Sequence, residues 1–494
     1  FLQHTNFGVF GMGDESYVFF NTAAKSIDQR LGELGGKRIL DIGLGNDKDE
    51  ERYETKWNDW LPDLWNELGT PPPPMELLAP TYGVAVDNTG TVTAPNERIV
   101  PHGTKLVPLT KNVLLSPPDY ERDIRHYEVD LSGKGMSYSV GESLAVYPHN
   151  NPEEVEKWLH NYNLNGDWTI SLEDTQMRKE PLPPCTSIRR LFTEVLDVFG
   201  RPARRFYETL SIAAKDGGER ARLEHLLSKE GQEELKALQK ETVTYAELME
   251  MFPSSRLNME YLVDHIPRIK PRLYSIASSS EMRGDMLHMC IVLDDWTTPS
   301  GKYKKGLCTS YLQHLSEGGE VDMLASKVNA AGITIPDTQR PPYIMVGLGT
   351  GLAPLRAMIE EREVARQRGE TVGEMALFFG ARYKRNDYTY GDELEAYHSN
   401  GNGVLTVLSN AFSRDQAHKI YVQDRIRENP EIIYDYLIKK NGYFYLCGPA
   451  GNVPAAVRKG IMDAIVKCGG NTEEEADKII TNMQIEGRYN IEAW

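Results

Sequence analysis

The residues best suited to chemistry fall into a few short stretches. Gly347-Leu348-Gly349-Thr350-Gly351 follows a strand-like run and opens a helical pattern whose first turn holds Pro354. Glycines there let backbone N–H groups approach a pyrophosphate, and a helix start favours its negative charge. The spacing is GxGxGxxP rather than the dinucleotide fingerprint GxGxxG, so a plain strand–helix turn is the competing reading. Ser413-Arg414, with Lys419, Tyr421 and Gln423 close behind, follows the run VLTVLSN. Arg and Lys at a strand end can neutralise a phosphate, and a tyrosine can stack on a purine. Selection of a ribose 2′-phosphate, hence NADPH over NADH, needs such a set; a solvated basic turn is the alternative. In RLYSIASSS (272–280) Arg272 and Tyr274 share one strand face and Ser275 takes the other. Tyr274 could cover a planar ring, Arg272 a pyrophosphate, and Ser275 a ring nitrogen, against an ordinary polar strand. Cys447 closes the strand FYLCG, where open parallel sheets place ligands, or it is a buried core thiol. The chain ends on Glu492-Ala493-Trp494, an unusual terminus that a bland tail would also explain.

The elements that must position these groups fall into blocks. Residues 1–69 read as two strand–helix units: FGVFGMG, a helix over 19–34, KRILDIGLGND, and a closing helix over 59–68. Its apolar side would carry Trp57, Trp60, Leu61, Leu64, Trp65 and Leu68. Two units are too few for a doubly wound domain, so this block reads as the back half of one. A proline-rich linker spans 70–80. Residues 81–150 are strand-rich, 151–265 helical, and 266–340 strand-rich again, predicting a barrel interrupted by a helical insertion. From 341 to 494 strands and helices alternate, the pattern of a parallel-sheet nucleotide-binding domain.

Composition bounds the partners. The 494 residues carry 55 Lys+Arg against 72 Asp+Glu, a net charge of −17, with 40% hydrophobic residues. That suits about three soluble domains and excludes a mainly disordered chain. The acidic balance argues against nucleic acid and suits a basic protein partner. Residues 1–69 alone hold 13 Asp/Glu and 7 Lys/Arg, although a plainly solvated face explains that too. No apolar run approaches the roughly 18 residues that span a bilayer. The chain starts at Phe1 without methionine, so an anchor upstream is left open. Five scattered cysteines (Cys185, Cys290, Cys308, Cys447, Cys468) speak against a disulfide framework or metal site. They suit a reducing intracellular compartment, cytoplasmic or organellar.

RLYSIASSS, GLCTSYL, MVGLGTGLAPLRAMIEER, LFFGAR, AFSRDQAHKIYVQ, YLCGP and GRYNIEAW occur in the order seen in diflavin reductases. FGVFGMGDESYVFFN is similar to the last part of their FMN domain, so the resemblance covers essentially the whole chain. It implies an α/β plus β-barrel fold: a ferredoxin–NADP reductase-like FAD barrel with a helical insertion, a parallel-sheet NADPH domain and a partial flavodoxin domain. It implies FAD, NADPH and, in the complete protein, FMN as cofactors, with electrons passing to a haem, iron–sulfur or other redox partner. It assigns Arg272, Tyr274, Ser275, Cys290, Val292, Gly306, Leu307, Cys308 and Thr309 to FAD, with Trp296 on its adenine. Arg122, Gly349 and Thr350 would meet the NADPH pyrophosphate or its surroundings. Ser413, Arg414, Lys419 and Gln423 would grip the 2′-phosphate and Tyr421 the adenine. A catalytic group of Ser275, Cys447 and Glu492 would work with Trp494 stacked on the flavin.

Three features depart from the family pattern. Glu492 stands where relatives often have Asp, and Pro449 follows Cys-Gly where many have an acid. The flavodoxin portion lacks the earlier phosphate loop; Gly13, Tyr17, Phe20, Asn21 and Asp47 match only the later FMN loops. FMN is therefore expected to be absent or weakly held by these residues. The parent is expected to be a cytochrome reductase, a sulfite reductase flavoprotein, or a fused enzyme such as pyruvate:NADP⁺ oxidoreductase. A single-flavin ferredoxin–NADP reductase and a redox-inactive docking module are the competing readings.

Overall fold

The computed structural model describes residues 1–15, 19–49, 52–71, 76–77, 79–95, 99–101, 103–315, 323–328, 333–399 and 403–494. The chain divides into two compact units, Phe1–Leu78 and Ala79–Trp494.

In the first unit two short parallel ladders pair Asn6–Phe7 with Lys37–Arg38 and Phe10–Gly13 with Gly43–Asn46. Each expected strand is thus broken in two. Trp60 packs at both breaks: its ring comes within 3.3 Å of where a Cβ on Gly8 would lie, and its Nε1 donates to the Asp41 carbonyl at 2.7 Å. The helices are Thr22–Glu33 and Tyr53–Leu68, the second starting six residues before the expected Asp59. Trp57 and Trp60 bracket Phe10, at 4.8 and 5.5 Å between ring centroids, while Leu68 stays exposed.

The second unit holds three layers of structure. Tyr82–Asp87, read as the first strand of the barrel, pairs instead with Thr169–Asp174, which also pairs with Cys185–Ser187. Tyr82 packs into the core of the helical region with Trp158, Phe192 and Phe206. That region contains helices Pro152–Asn161, Arg204–Ala213, Gly217–Leu227, Gln232–Lys240, Tyr245–Met251 and Met259–His265. The run IRRLFTEVLDVF, patterned as one helix, is a π-helix over Leu191–Val195 and then leaves helical geometry, because Leu196 bridges to Arg268.

The strands around the chemistry form two antiparallel sheets. One orders Arg272–Ser275, Ser143–Val146, Met323–Val328 and Lys105–Val107; the other orders Met286–Val292, Ile124–Asp130 and Leu109–Leu114. Val107, Tyr127, Leu144, Met289 and Ile291 from both sheets share one core. Among the described residues the two sheets do not join into a closed barrel.

The last layer is a five-stranded parallel sheet in the order Leu405–Phe412, Met375–Ala381, Tyr343–Leu348, Tyr443–Gly448, Tyr489–Ala493. Apolar clusters cover both faces, which explains why its strands read as continuous hydrophobic runs. Its order reverses between Tyr343–Leu348 and Tyr443–Gly448, the position at which open sheets bind ligands.

Candidate active site

At that reversal, Gly347 and Cys447 are register partners, and Cys447 pairs in turn with Glu492. The helix Leu352–Gln367 begins directly behind. A Cβ on Gly351 would lie 2.1 Å from the Cys447 carbonyl oxygen, so glycine is what lets the helix start touch the neighbouring strand. Gly349 has φ +56° and nothing within 4 Å of its Cβ position, leaving room beside the loop.

A cleft of about 2350 Å³ opens between this edge, the antiparallel sheets and the helical region. Arg272, Tyr274, Ser275, Cys290, Val292, Trp296, Gly306, Leu307, Cys308, Thr309, Arg122, Thr350, Glu492 and Trp494 all border it. The whole strand Arg272–Ser275 lines the cleft, both faces included, because it is the edge of its sheet. Tyr274 is partly buried, and burial pushes its hydroxyl far above the usual tyrosine range. Cys290 and Cys308 are buried thiols, each pushed up to about 12 by desolvation. Trp296 donates from Nε1 to Thr242 Oγ1 at 3.3 Å, and Thr242, Lys302 and Lys304 line the cleft with it.

Ser275 donates from Oγ to Glu492 Oε1 at 2.6 Å, bringing together two residues 217 positions apart. Desolvation raises the Glu492 pKa above its ordinary 4.5, and the serine bond partly opposes this. Glu492 Oε2 is buried without a hydrogen-bond partner. Cys447 is not a cleft wall: its thiol is 1% exposed, and burial, then the nearby Glu492 charge, drive its pKa well up. Trp494 is 54% exposed at the rim, held by backbone bonds to Gly448 and Ala450.

The basic group sits apart from the cleft wall. The Ser413 N–H donates to Ala381 and the Arg414 N–H to Arg382, setting both beside the adjacent strand end. Lys419 and Tyr421 are exposed on the loop that follows, and Gln423 lies in the first turn of helix Val422–Glu428. In the other unit, Gly13 and Asp47 meet through an Asp47 N–H to Gly13 carbonyl bond of 2.7 Å. Asn21 is buried and donates to the Gly45 carbonyl at 3.0 Å, tying the two loops; Asp47 pairs with Arg52 at 3.6 Å. Tyr17 lies outside the described residues.

Comparison with known proteins places a flavodoxin match over residues 1–60, an FAD binding domain over 100–311 and an oxidoreductase NAD-binding domain over 345–458. The bovine (Bos taurus) NADPH-dependent diflavin oxidoreductase 1 is 31% identical over all of this chain, which covers 85% of that protein. The chain belongs to the diflavin reductase family. The NADPH–cytochrome P450 reductase of Drosophila melanogaster is 31% identical over the whole chain and 75% of its own length. The mitochondrial pyruvate dehydrogenase [NADP(+)] of Euglena gracilis is 38% identical over the whole chain, which spans only 26% of it. The domains support FAD, NADPH and FMN as cofactors of this diflavin reductase. No described helix is long and apolar enough to cross a membrane.

Motif reading of this diflavin reductase overlooked a buried ionic cluster that fixes the NAD-binding helix against the antiparallel sheets. Arg356 pairs with Glu360 at 2.9 Å and Glu393 at 2.8 Å, and Glu360 also takes Arg283 at 2.6 Å. Beside it His126 Nε2 lies 3.0 Å from Glu128 and its Nδ1 2.7 Å from the Tyr390 hydroxyl. His126, Glu128 and His288 offer ligand atoms within 4.8 Å of one another. However, Arg356 can only donate, and it meets His288 Nδ1 at 3.4 Å, so neutral His288 keeps its proton on Nε2, the nitrogen facing Glu128. Burial pushes the His288 pKa down to about 3, which keeps it neutral. Arg382 was also overlooked; its place just past a parallel strand is the signal that singled out Arg414.

Proposed function

We propose that the cleft holds FAD and that NADPH delivers its electrons there, across the edge of the parallel sheet. The observation that carries this reading is the Ser275–Glu492 bond beside Cys447, one strand from the reversal of strand order and inside the cleft. The residues fit the groups: the orphaned Glu492 Oε2 awaits a polar partner, and Gly349 leaves open space for a phosphate. Tyr274, Arg272 and Ser275 would hold the flavin ring and pyrophosphate, with the two antiparallel sheets acting as the halves of an FAD barrel. FAD, when bound, accepts a hydride from NADPH and releases the electrons singly, through FMN, to a redox partner.

The chain's own groups supply position and polarity. Ser275 carries a proton on Oγ, directed to Glu492, that it can redirect towards an accepting ring nitrogen. Glu492, held in a desolvated place, can stabilise positive charge developing on a nicotinamide, and does so more strongly than in water. Trp494 occupies the rim where the nicotinamide must arrive, so it swings aside. Binding energy from a 2′-phosphate on Ser413, Arg414, Lys419 and Gln423, with Tyr421 against the adenine, would offset that displacement.

The 38% identity to the Euglena enzyme, whose name gives NADP(+) as its acceptor, favours a second reading. There the same groups pass electrons towards NADP⁺, within a pyruvate-oxidising protein. The free cysteines and that mitochondrial relative suit a reducing, cytoplasmic or organellar, compartment. The acidic balance would steer a basic acceptor. Purified protein should show flavin absorbance that NADPH bleaches under anaerobic conditions. Colourless protein, unresponsive to NADPH after FAD addition, would overturn the enzyme reading.

A further inference from the structure

The segment between strands Leu109–Leu114 and Ile124–Asp130 reaches the edge of the parallel sheet and is fastened there. Tyr120 donates from its hydroxyl to Asp387 Oδ2 at 3.1 Å and meets the Tyr383 ring edge-on. Next to it, Glu121 Oε1 accepts from Arg382 Nη1 and stands 3.8 Å from Arg414 Nη1. The two arginines come from adjacent strand ends and are joined by the 2.8 Å bond from the Arg414 N–H to the Arg382 carbonyl. Two guanidiniums therefore converge on one carboxylate oxygen.

That arrangement is chemically a phosphate site with a carboxylate in it. A guanidinium fork accepts either anion, and a phosphate offers more oxygens and more charge. The two anions repel each other on shared arginines, so one must leave when the other arrives. Glu121 is 59% exposed at its side chain, Arg382 37% and Arg414 45%, so the carboxylate can move into water without a large desolvation change.

We propose that Glu121 competes with the 2′-phosphate of the nucleotide for Arg382 and Arg414, weakening the grip enough for product to leave. The inference rests on Arg414 as a 2′-phosphate ligand. Exposed ion pairs contribute little each, so the effect is modest and shrinks as salt rises.

Calorimetric titration with 2′,5′-ADP and with 5′-AMP tests this, since the two probes differ only in the 2′-phosphate. Glu121→Gln should bind 2′,5′-ADP about three- to tenfold tighter at low ionic strength, with slower dissociation. Its affinity for 5′-AMP should stay within about twofold of wild type. Asp119→Asn is the control: it makes the same charge change in the same segment, but Asp119 faces Arg385 at 4.0 Å. It should leave 2′,5′-ADP binding unchanged. Unchanged or weaker binding of 2′,5′-ADP by Glu121→Gln overturns the competition. An equal gain in Asp119→Asn, or for 5′-AMP, also overturns it, as a long-range charge effect. Wild-type protein that binds 2′,5′-ADP no better than 5′-AMP would overturn the Arg414 reading, and the competition with it.

Discussion

Removing the Ser275 hydroxyl should make Glu492 a weaker acid, and the size of the change follows from its surroundings. Glu492 Oε1 has the 2.6 Å serine bond, and the buried Oε2 has no partner, so Ser275→Ala leaves the carboxylate without a protein donor. A hydrogen bond to a charged group contributes about 1.5–3 kcal/mol, and the partial exposure at the cleft rim favours the lower end. At 1.36 kcal/mol per pH unit, the Glu492 pKa should rise by about one pH unit or somewhat more. The direction is fixed because desolvation already raises this pKa above 4.5 and the serine bond is what restrains it. Stopped-flow bleaching of flavin by NADPH across pH should show the acid limb moved upward by that amount in Ser275→Ala. Glu492→Gln should show no such limb. Stability gives an independent readout. Glu492 binds a proton more tightly folded than unfolded, so stability falls as pH rises from the unfolded value through the folded one. In Ser275→Ala that window extends upward, and the deficit against wild type should reach about 1.5 kcal/mol above it and nearly vanish below pH 4.5. An unmoved acid limb, or a deficit equal at all pH values, would refute the reasoning.

Arg414→Ala should weaken NADPH binding by about 10- to 100-fold, the loss of one charge-assisted phosphate bond, and leave NADH binding nearly unchanged. Equal losses for both nucleotides, measured by titration, would remove the 2′-phosphate assignment. Deleting Trp494 should raise NADH-driven flavin bleaching relative to NADPH, because less binding energy is then needed to uncover the site. An unaltered NADH/NADPH ratio of kcat/KM would count against its stacking role.

What the sequence disclosed and what it hid divide along a physical line. Candidate groups at strand ends were legible, because a strand's exit is marked by glycines or by charge after an apolar run. Gly347–Gly351, Ser413-Arg414 and Cys447 before Gly448 carry that mark, while the edge strand Arg272–Ser275 is marked instead by its own polar side chains. Their convergence was not written locally: Ser275 and Glu492 meet only because an antiparallel edge strand abuts the last parallel strand. Helix Leu352–Gln367 shows the opposite failure. Arg356, Glu360 and Glu363, at four- and three-residue spacing, imitate a solvated face, yet these three and Arg362 are all buried. Sheets cover this helix on both sides, so its charges pair inward, Arg356 with Glu360 and Glu393, Arg362 over the Tyr343 ring. Such a cluster is a poor source of net stability but a demanding fit, since one partner removed strands a buried charge. In a cleft walled by both layers that demand has a use. It favours one seating of the NAD-binding layer on the antiparallel sheets, and the proposed hydride transfer requires the two rings to meet in one geometry.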